Sequence, residues 1–446
     1  MTDKKFTAAA RRGCVLALAL LLLHGSGAAR AQSINSLDRD RARGMLDVIK
    51  KALKEHYYDP TYHGMDVEAR FKVSKEKIDA AQTLSQAFGV IAQTLVDLND
   101  SHTVFLPPPR AARVEYGWRM QMVGDKAFIV AVRPGSDAEK QGVREGDEIL
   151  SVDGFRPTRD TLWKMVYRYF ALAPAASVRM ELKPPGGEPR TLDLKAKVTQ
   201  LKRVLDFTGQ GSMEDIITYL REAENAEHYT RHRYHEDMGG VMIWKMPNFY
   251  DDNDGVDRMM GRVKKHKALI LDLRGNPGGA IRTLERLAGH FFDRDVKIAD
   301  LRARKERKPM TAKAQGSPFK GQLVVLLDSK SGSSAELFAR VMQLEKRGTV
   351  IGDRSAGAVM QSKVHPFEMG AGSVVPYAVS ITDADLIMSD GKSLEHVGVT
   401  PDELVLPTAE DMAAKRDPVL ARAAALVGLN LTPEKAAALF PVEWQK

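Results

Sequence analysis

The amino-acid sequence predicts an α+β chain with several domains: a helical N-terminal domain, a compact β module, and a C-terminal α/β domain with a mostly parallel sheet. Three changes of hydrophobic period predict it. Apolar residues recur at helical spacing up to Leu98. They alternate with polar ones from Tyr116. Past Val198 they form short runs separated by helical stretches. That last β-α-β-α-β order implies a parallel, buried sheet. A chain of 446 residues can give each part a real core, and 43% hydrophobic with 28% charged residues is ordinary for a soluble globular protein. No internal segment is long and apolar enough to span a bilayer.

Residues 1–31 stand apart. Lys4, Lys5, Arg11 and Arg12 precede an unbroken apolar run, Val15 to Leu23, and Ala29-Arg30-Ala31 offers small residues for cleavage. This is the pattern of a secretory signal peptide cut after Ala31, and it predicts an exported protein, periplasmic or secreted. The Arg11-Arg12 pair leaves a twin-arginine route open, although the surrounding match is poor. Cys14, the only cysteine, lies in this leader, ahead of most of the apolar run, and is a poor lipobox residue. The mature chain therefore has no disulfide, no thiol nucleophile and no thiolate metal site. The leader carries a net +4 of the formal +8, so the mature chain is only mildly basic. The basic stretch "LRARKERKPMTAK", Leu301 to Lys313, has no interleaved aromatics and reads as a solvated loop. Nucleic acid is not an expected partner.

Leu46, Ile49, Leu53 and Tyr57 mark a first helix, stopped by Asp59-Pro60. Leu84, Phe88, Ile91, Leu95 and Leu98 mark a second, ended by "NDSHT", Asn99 to Thr103. The stiff "PPPR" at Pro107 to Arg110 closes a helical domain of residues 32–109. Next comes a strand and turn in "DKAFIVAVRPGS". "GVREGDEILSVDGFRP" follows, with a hairpin turn at Asp153-Gly154, then a helix from Thr161 to Tyr169 and a hairpin around Pro185-Gly186-Gly187. These bound a β module at residues 112–200. The third domain, residues 201–446, alternates "GVMIWKMP", "KALILDLRGNPGG", a helix from Ile281 to Phe292, "QLVVLLDS", a helix from Ala335 to Leu344 and "TVIGDRSAG". Residues 201–240 read as a polar insertion with a helix near Met213–Glu224.

The order of elements in residues 112–200, and "GVREGDEILSVDG" above all, resembles a PDZ domain. The resemblance implies that backbone N–H groups at Tyr116, Gly117, Trp118 and Arg119 bind a peptide carboxylate while the peptide adds to a sheet edge. A β module serving only as a spacer is the plain alternative.

Sites in parallel sheets lie at the carboxyl ends of the strands, and two motifs lie there. "SGSSAE" packs serines at a strand-to-helix junction. Ser333 and Glu336 fit a capping box, S-x-x-E, which alone favours a structural cap. The same position exposes a hydroxyl beside the free N–H groups of a helix start, which is what a developing oxyanion needs. "ILDLRGNPGG" ends a strand in glycines that let backbone N–H groups approach a substrate closely. Its spacing is not that of a Walker A loop.

"DLRGNPGG", "DSKSGSSAELFA", "GDRSAGA" and "EHVGVTPD" occur in that order. Together they resemble the serine peptidase family of carboxyl-terminal processing (tail-specific) proteases and the tricorn core protease. The likeness covers about residues 37 to 405, and its combination of motifs is highly specific. It implies a crotonase/ClpP-like α/β catalytic domain, with Ser333 as nucleophile and an oxyanion hole made of the Ser334 amide with that of Gly278 or Gly279. No metal, nucleotide or other cofactor is implied. One departure matters. The tail-specific branch uses a Ser–Lys dyad, and its lysine position here is Ala358, whose methyl group accepts no proton. Lys363 is the nearest lysine and reads as a surface residue. The tricorn-like branch uses a Ser–His–Glu arrangement with histidine in an "SH" motif, which "LNDSHTVF" matches at His102. Imidazole takes and returns a proton near neutrality and needs an orienting acceptor on its other nitrogen. Glu395 is the candidate, with His396 as its rival.

The expected function is that of an exported serine endopeptidase acting on proteins or peptides, recognising free C-termini through the β module. A peptide-binding protein of the same fold that has lost catalysis is the alternative, motivated by Ala358. An acyl-transfer enzyme on a crotonase-like sheet is a weaker third reading.

Overall fold

A computed structural model describes residues 33–109, 112–200, 231–370 and 375–444. The expected signal peptide and the expected helix near residues 213–224 lie outside these residues.

Helices α1 (Ser36–His56), α2 (Val67–Ala80) and α3 (Leu84–Val96) open the chain, followed by β1 (Val104–Leu106). Thr83 and Gln86 form a complete capping box that starts α3. The α2 helix was not visible in the hydrophobic pattern. Its buried face includes Ser74, whose hydroxyl meets that of Thr94 at 2.7 Å, so a polar residue sits where the period needs an apolar one.

The β module contains β2 (Ala112–Glu115), β3 (Trp118–Val123), β4 (Lys126–Val132), α4 (Asp137–Lys140), β5 (Glu148–Val152), α5 (Leu162–Tyr167), β6 (Ser177–Lys183), β7 (Arg190–Lys195) and β8 (Lys197–Gln200). Strands β3-β4-β5-β6-β7 form one antiparallel sheet around Trp118, Met120, Ile129, Val178 and Met180. Strand β3 is its edge. Asp153 and Gly154 both have positive φ, 49° and 82°, as a tight hairpin turn requires.

The third part begins with β9 (Arg233–Met238), β10 (Val241–Lys245), α6 (Asn253–Val263), β11 (Ala268–Asp272), α7 (Ile281–Gly289), β12 (Val296–Arg302) and β13 (Met310–Ala312). It continues with β14 (Gln322–Leu327), α8 (Ser334–Leu344), β15 (Thr349–Gly352), β16 (Met360–Met369), β17 (Val375–Met388) and β18 (Glu403–Leu404). It ends in α9 (Ala409–Ala413), α10 (Pro418–Leu426) and α11 (Pro433–Leu439). The six-stranded sheet has order β18-β15-β14-β11-β10-β9, parallel except at β9. Alternate residues of its strands feed two cores. Leu269, Leu271, Leu323 and Val325 face α6, α7 and α8, while Ile270, Val324 and Leu326 face α10.

The helical region does not close a core of its own. Its apolar faces pack on Tyr377, Val379 and Ile381 of β17, and β1 pairs with β17 at Val104↔Ser380. This second sheet, β1-β17-β12-β13 with β16 beside β17, bolts the N-terminal helices to the C-terminal part. The basic stretch Leu301 to Lys313, which begins in the last residues of β12 and includes β13, takes part, so it is more than a solvated loop. Arg302 pairs with Asp385, Arg307 with Asp383, and Arg304 donates to the Tyr57 carbonyl.

Candidate active site

Three adjacent parallel strands, β11, β14 and β15, deliver three loops to one edge of the sheet. The loop after β14 carries Ser333, the residue before α8, with φ 50° and ψ −117°. That conformation is strained for a residue with a Cβ, by about 1–3 kcal/mol. It turns the chain sharply from strand to helix. The Ser333 amide donates both to the Ala358 carbonyl and to Glu336 Oε2, each at 2.9 Å. Of the expected capping box, then, the Glu336 half forms. The Glu336 amide instead donates to the Ser333 carbonyl at 2.9 Å, and the Ser333 hydroxyl makes no cap bond. Ser331 pins the loop from below, donating to the Leu273 carbonyl at 2.8 Å and accepting from the Asp328 amide.

The glycine loop after β11 lies directly against this turn. A Cβ on Gly278 (φ +97°) would stand 2.6 Å from Ser333 Cβ, so only glycine fits there. The Gly278 amide, however, donates to Asn276 Oδ1 at 2.8 Å and is not a free donor. Among the described residues the amides of Ser334 and Gly279 carry no hydrogen bond. The Ser334 hydroxyl donates to the Gly279 carbonyl at 3.0 Å and holds the two segments together. Of the three expected oxyanion donors, Ser334 and Gly279 are available and Gly278 is the spacer between them.

His102 arrives from the helical region. Asp100 Oδ1 accepts the amides of His102 and Thr103 at 2.9 and 2.7 Å, and also the Thr382 hydroxyl of β17 at 2.7 Å. The turn is thereby fixed to the second sheet. Ser101 then stands between His102 and Glu395. Its amide donates to Glu395 Oε1 at 2.7 Å, its hydroxyl to Oε2 at 2.9 Å, and its Oγ lies 2.7 Å from His102 Nδ1. The hydroxyl has one proton and gives it to Glu395, so the contact to His102 is an Nδ1–H donation. That leaves Nε2 as the basic nitrogen. Burial lowers the His102 pKa below its ordinary value, opposed by the charges of Glu395 and Asp100.

Glu395 is tied back to Ser333 by one peptide group. The Val359 amide donates to Glu395 Oε2 at 2.8 Å, and the carbonyl of that same peptide, Ala358 O, accepts the Ser333 amide. No hydrogen bond joins Ser333 Oγ to His102 Nε2 among the described residues; such bonds are often long in an unliganded site. His396 does not orient His102. Its Nε2 lies 2.9 Å from the Asn99 carbonyl and its ring is half exposed. Lys363 lies on β16 with a 65% exposed side chain, 3.4 Å from Asp383, and among the described residues has no hydrogen bond or ion pair to the serine loop.

The structure places Tyr116, Gly117, Trp118 and Arg119 at the start of edge strand β3. Tyr116 and Trp118 are turned into the module core. The Gly117 carbonyl accepts the Arg133 amide at 2.8 Å. Arg119 Nη2 donates to the Glu443 carbonyl at 2.9 Å and its guanidinium covers the Trp444 ring at 4.5 Å, so the chain's own tail lies against it. The other end of β3 reaches the foot of the serine loop. Gln121 Nε2 donates to Asp328 Oδ2 at 2.8 Å, and the Ser329 hydroxyl to the Met122 carbonyl at 2.6 Å. Arg159 clamps Asp353 with two 2.6 Å bonds at the head of the loop after β15. Ser101, Asn276, Asp353 and Arg159 were missed from sequence. Ser101 had a signal in the "SH" pair, and Asn276 and Asp353 lie within the quoted motifs "DLRGNPGG" and "GDRSAGA"; Arg159 had none.

Residues 238–405 match the model of peptidase family S41. The chain is 24% identical over 341 residues to the carboxy-terminal processing protease CtpB of Bacillus subtilis (strain 168), covering 73% of this chain and 63% of that protein. It is 26% identical over 288 residues to the tail-specific protease of Haemophilus influenzae, covering 59% of this chain and 38% of that protein. The chain thus spans less than two thirds of either relative. The crystal structure of mature CPAF superimposes with a TM-score of 0.61 at 17% identity, over 85% of this chain and 95% of that one, which is a likeness of fold. Residues 238–405 are thus similar to peptidase family S41, and the chain as a whole is similar to carboxy-terminal processing and tail-specific proteases.

Proposed function

We propose that this chain is an exported serine endopeptidase in which Ser333 is the nucleophile, His102 the general base and acid, and Glu395 the group that orients His102 through Ser101. The observation that carries it is the unbroken chain of bonds from His102 Nδ1 through Ser101 and Glu395 to the Ala358–Val359 peptide and on to the Ser333 amide. It runs through the backbone of Ala358, so the missing lysine side chain leaves no gap in it.

In the first half-reaction Ser333 Oγ attacks the scissile carbonyl and its proton passes to His102 Nε2. The imidazolium charge is held by Ser101 Oγ and, behind it, the Glu395 carboxylate. The carbonyl oxygen gains a negative charge and lies against the Ser334 and Gly279 amides, the free donors at the positive end of α8. The tetrahedral intermediate collapses as Nε2–H protonates the leaving amine. Water then gives a proton to Nε2 and its oxygen attacks the acyl-enzyme. The same two amides take the second oxyanion, and the proton returns to Ser333 Oγ. Nothing in this sequence calls on a cofactor.

The test is to treat the mature chain with a fluorophosphonate and map the adduct by mass spectrometry. The expected adduct is on Ser333, with cleavage of an unstructured peptide lost in parallel. An unmodified Ser333 in a peptide-cleaving preparation contradicts the reading. An unmodified Ser333 in a chain that binds peptides without cleaving them favours the non-catalytic alternative.

Substrate recognition is proposed for the start of β3. A peptide with a free C-terminus should bind more tightly than its amidated form. One charge-assisted hydrogen bond is worth roughly 1.5–3 kcal/mol, about ten- to a hundredfold in affinity. Equal affinities in a calorimetric titration would assign the β module another role.

A further inference from the structure

We propose that Glu336 is the positioning residue of the nucleophile: one buried carboxylate that holds the Ser333 backbone and the loop from Ser355 to Val359 in a single register. The inference rests on Ser333 being the nucleophile, and it adds a group that this mechanism does not otherwise use. Oε2 accepts the amides of Ser333 and Ala358 at 2.9 and 3.0 Å, and Oε1 accepts the Gly357 amide at 2.7 Å and the Ser355 hydroxyl at 2.6 Å. Three of the four partners are backbone amides, which can only donate, and the fourth is a hydroxyl that donates here. The ionised carboxylate accepts from all four with charge-assisted bonds. The side chain is fully buried, and among the described residues no Lys, Arg or His pairs with it. A charge kept in such a place is costly unless its field and hydrogen bonds are in order. Here the first turn of α8 and the four donors supply both.

The backbone it holds is the part of the site that must not relax. Ser333 sits at a strained φ of 50°, and its amide is shared between Glu336 and the Ala358 carbonyl. Ala358 in turn gives its amide to Glu336, and the next amide, Val359, goes to Glu395. Glu336 thus fixes both ends of the strut that sets Ser333 against Glu395, Ser101 and His102. A capping glutamate would need only the Ser333 amide. The three bonds to residues 355–358 have no capping purpose.

Burial pushes the Glu336 pKa up to about 7, with the bonds from Ser355, Gly357, Ala358 and Ser333 acting the other way. The ionisable groups on the elements packed around it are Asp353 and Arg354 on the same loop, Glu395 and His396 beyond it, and His102 behind Ser101. None of them bonds to Glu336 among the described residues. As pH falls through this range the carboxyl gains a proton that only the Ser355 hydroxyl can accept, the charge-assisted bonds from the three amides weaken, and the strut loosens. The sign for folding is opposite. A carboxyl with its folded pKa above the unfolded one contributes stability as pH falls from about 7 towards its ordinary value. Loss of activity through Glu336 is therefore not a loss of fold.

The experiment is a pH series of kcat and KM on a peptide, with fluorophosphonate labelling rates and circular dichroism, for the wild type, Glu336→Gln, Ser355→Ala and Ser333→Ala. Glutamine keeps the shape but is neutral, and sets one oxygen and one NH2 against three amide donors and a hydroxyl. The expected result for Glu336→Gln is a folded protein with kcat about a hundredfold lower, KM within about twofold, and the upper of two acid-limb ionisations gone. Ser355→Ala removes one donor to the ionised form and should move that upper ionisation to higher pH; it serves as the deciding variant if Glu336→Gln does not fold. Wild-type kcat in Glu336→Gln, an unchanged acid limb in it, or an unmoved ionisation in Ser355→Ala would each overturn the inference. Labelling that persists in Ser333→Ala would instead overturn the nucleophile assignment, and this inference with it.

Discussion

Ser333→Ala is expected to lose fluorophosphonate labelling entirely and peptide cleavage by roughly 10⁶-fold, with thermal stability unchanged. The last clause separates catalysis from capping. Removing a serine hydroxyl that caps a helix costs about 1 kcal/mol. The Ser333 hydroxyl makes no cap bond, and the start of α8 is held by the Glu336 carboxylate instead. Alanine keeps the Cβ, so it neither relieves the strained φ nor opens space beside Gly278, whose own lack of a Cβ is what admits the serine. A variant that melts earlier while keeping its activity would return Ser333 to the role of a cap. Differential scanning calorimetry beside a cleavage assay reads both quantities on one preparation.

His102→Ala is expected to cost a comparable factor, and the double variant His102→Ala/Ser333→Ala no more than either alone. The non-additivity follows from the chemistry. Without the base the serine stays protonated, and without the serine the base has nothing to activate. Activity of the wild type should rise with pH as the imidazole loses its proton. Burial lowers that ionisation relative to an ordinary histidine, and the Glu395 and Asp100 carboxylates oppose the shift. Losses that multiply in the double variant would mean that the two residues act independently.

Much of the catalytic sheet was legible because buried parallel strands are continuous apolar runs. "ALILD" and "QLVVLL" became β11 and β14, within a residue or two of the expected positions. The β16–β17 hairpin was not legible. Its long inner strand interrupts the apolar pattern with Thr382, Asp383 and Asp385, polar residues buried because they serve the Asp100 turn, Arg302 at the end of β12 and Arg307 beyond it. The dependence of the N-terminal helices on β17 followed from that gap, since no local pattern announces a partner 280 residues away. At the site, Ser333, His102 and Glu395 could be named from motifs. The hydroxyl of Ser101 could not be assigned a direction, because a serine beside a histidine carries no sign of which neighbour it bonds. Glu336 was visible as a cap and as the last residue of the serine motif that carries the resemblance, but not as a holder of the next loop, its other three bonds coming from a segment that the fold brings back across α8.

The central claim is that a histidine from the N-terminal region, and no lysine, takes the proton of Ser333. The most direct measurement is kcat/KM for His102→Ala and Lys363→Ala, on one peptide, across pH 5.5 to about 9, with folding checked by circular dichroism. The structure puts Lys363 on the solvent face of β16, beside Asp383. The predicted result is a nearly inactive His102→Ala protein at every pH and a Lys363→Ala protein within about twofold of wild type. An active His102→Ala protein beside an inactive Lys363→Ala protein would contradict the account and restore a serine–lysine dyad.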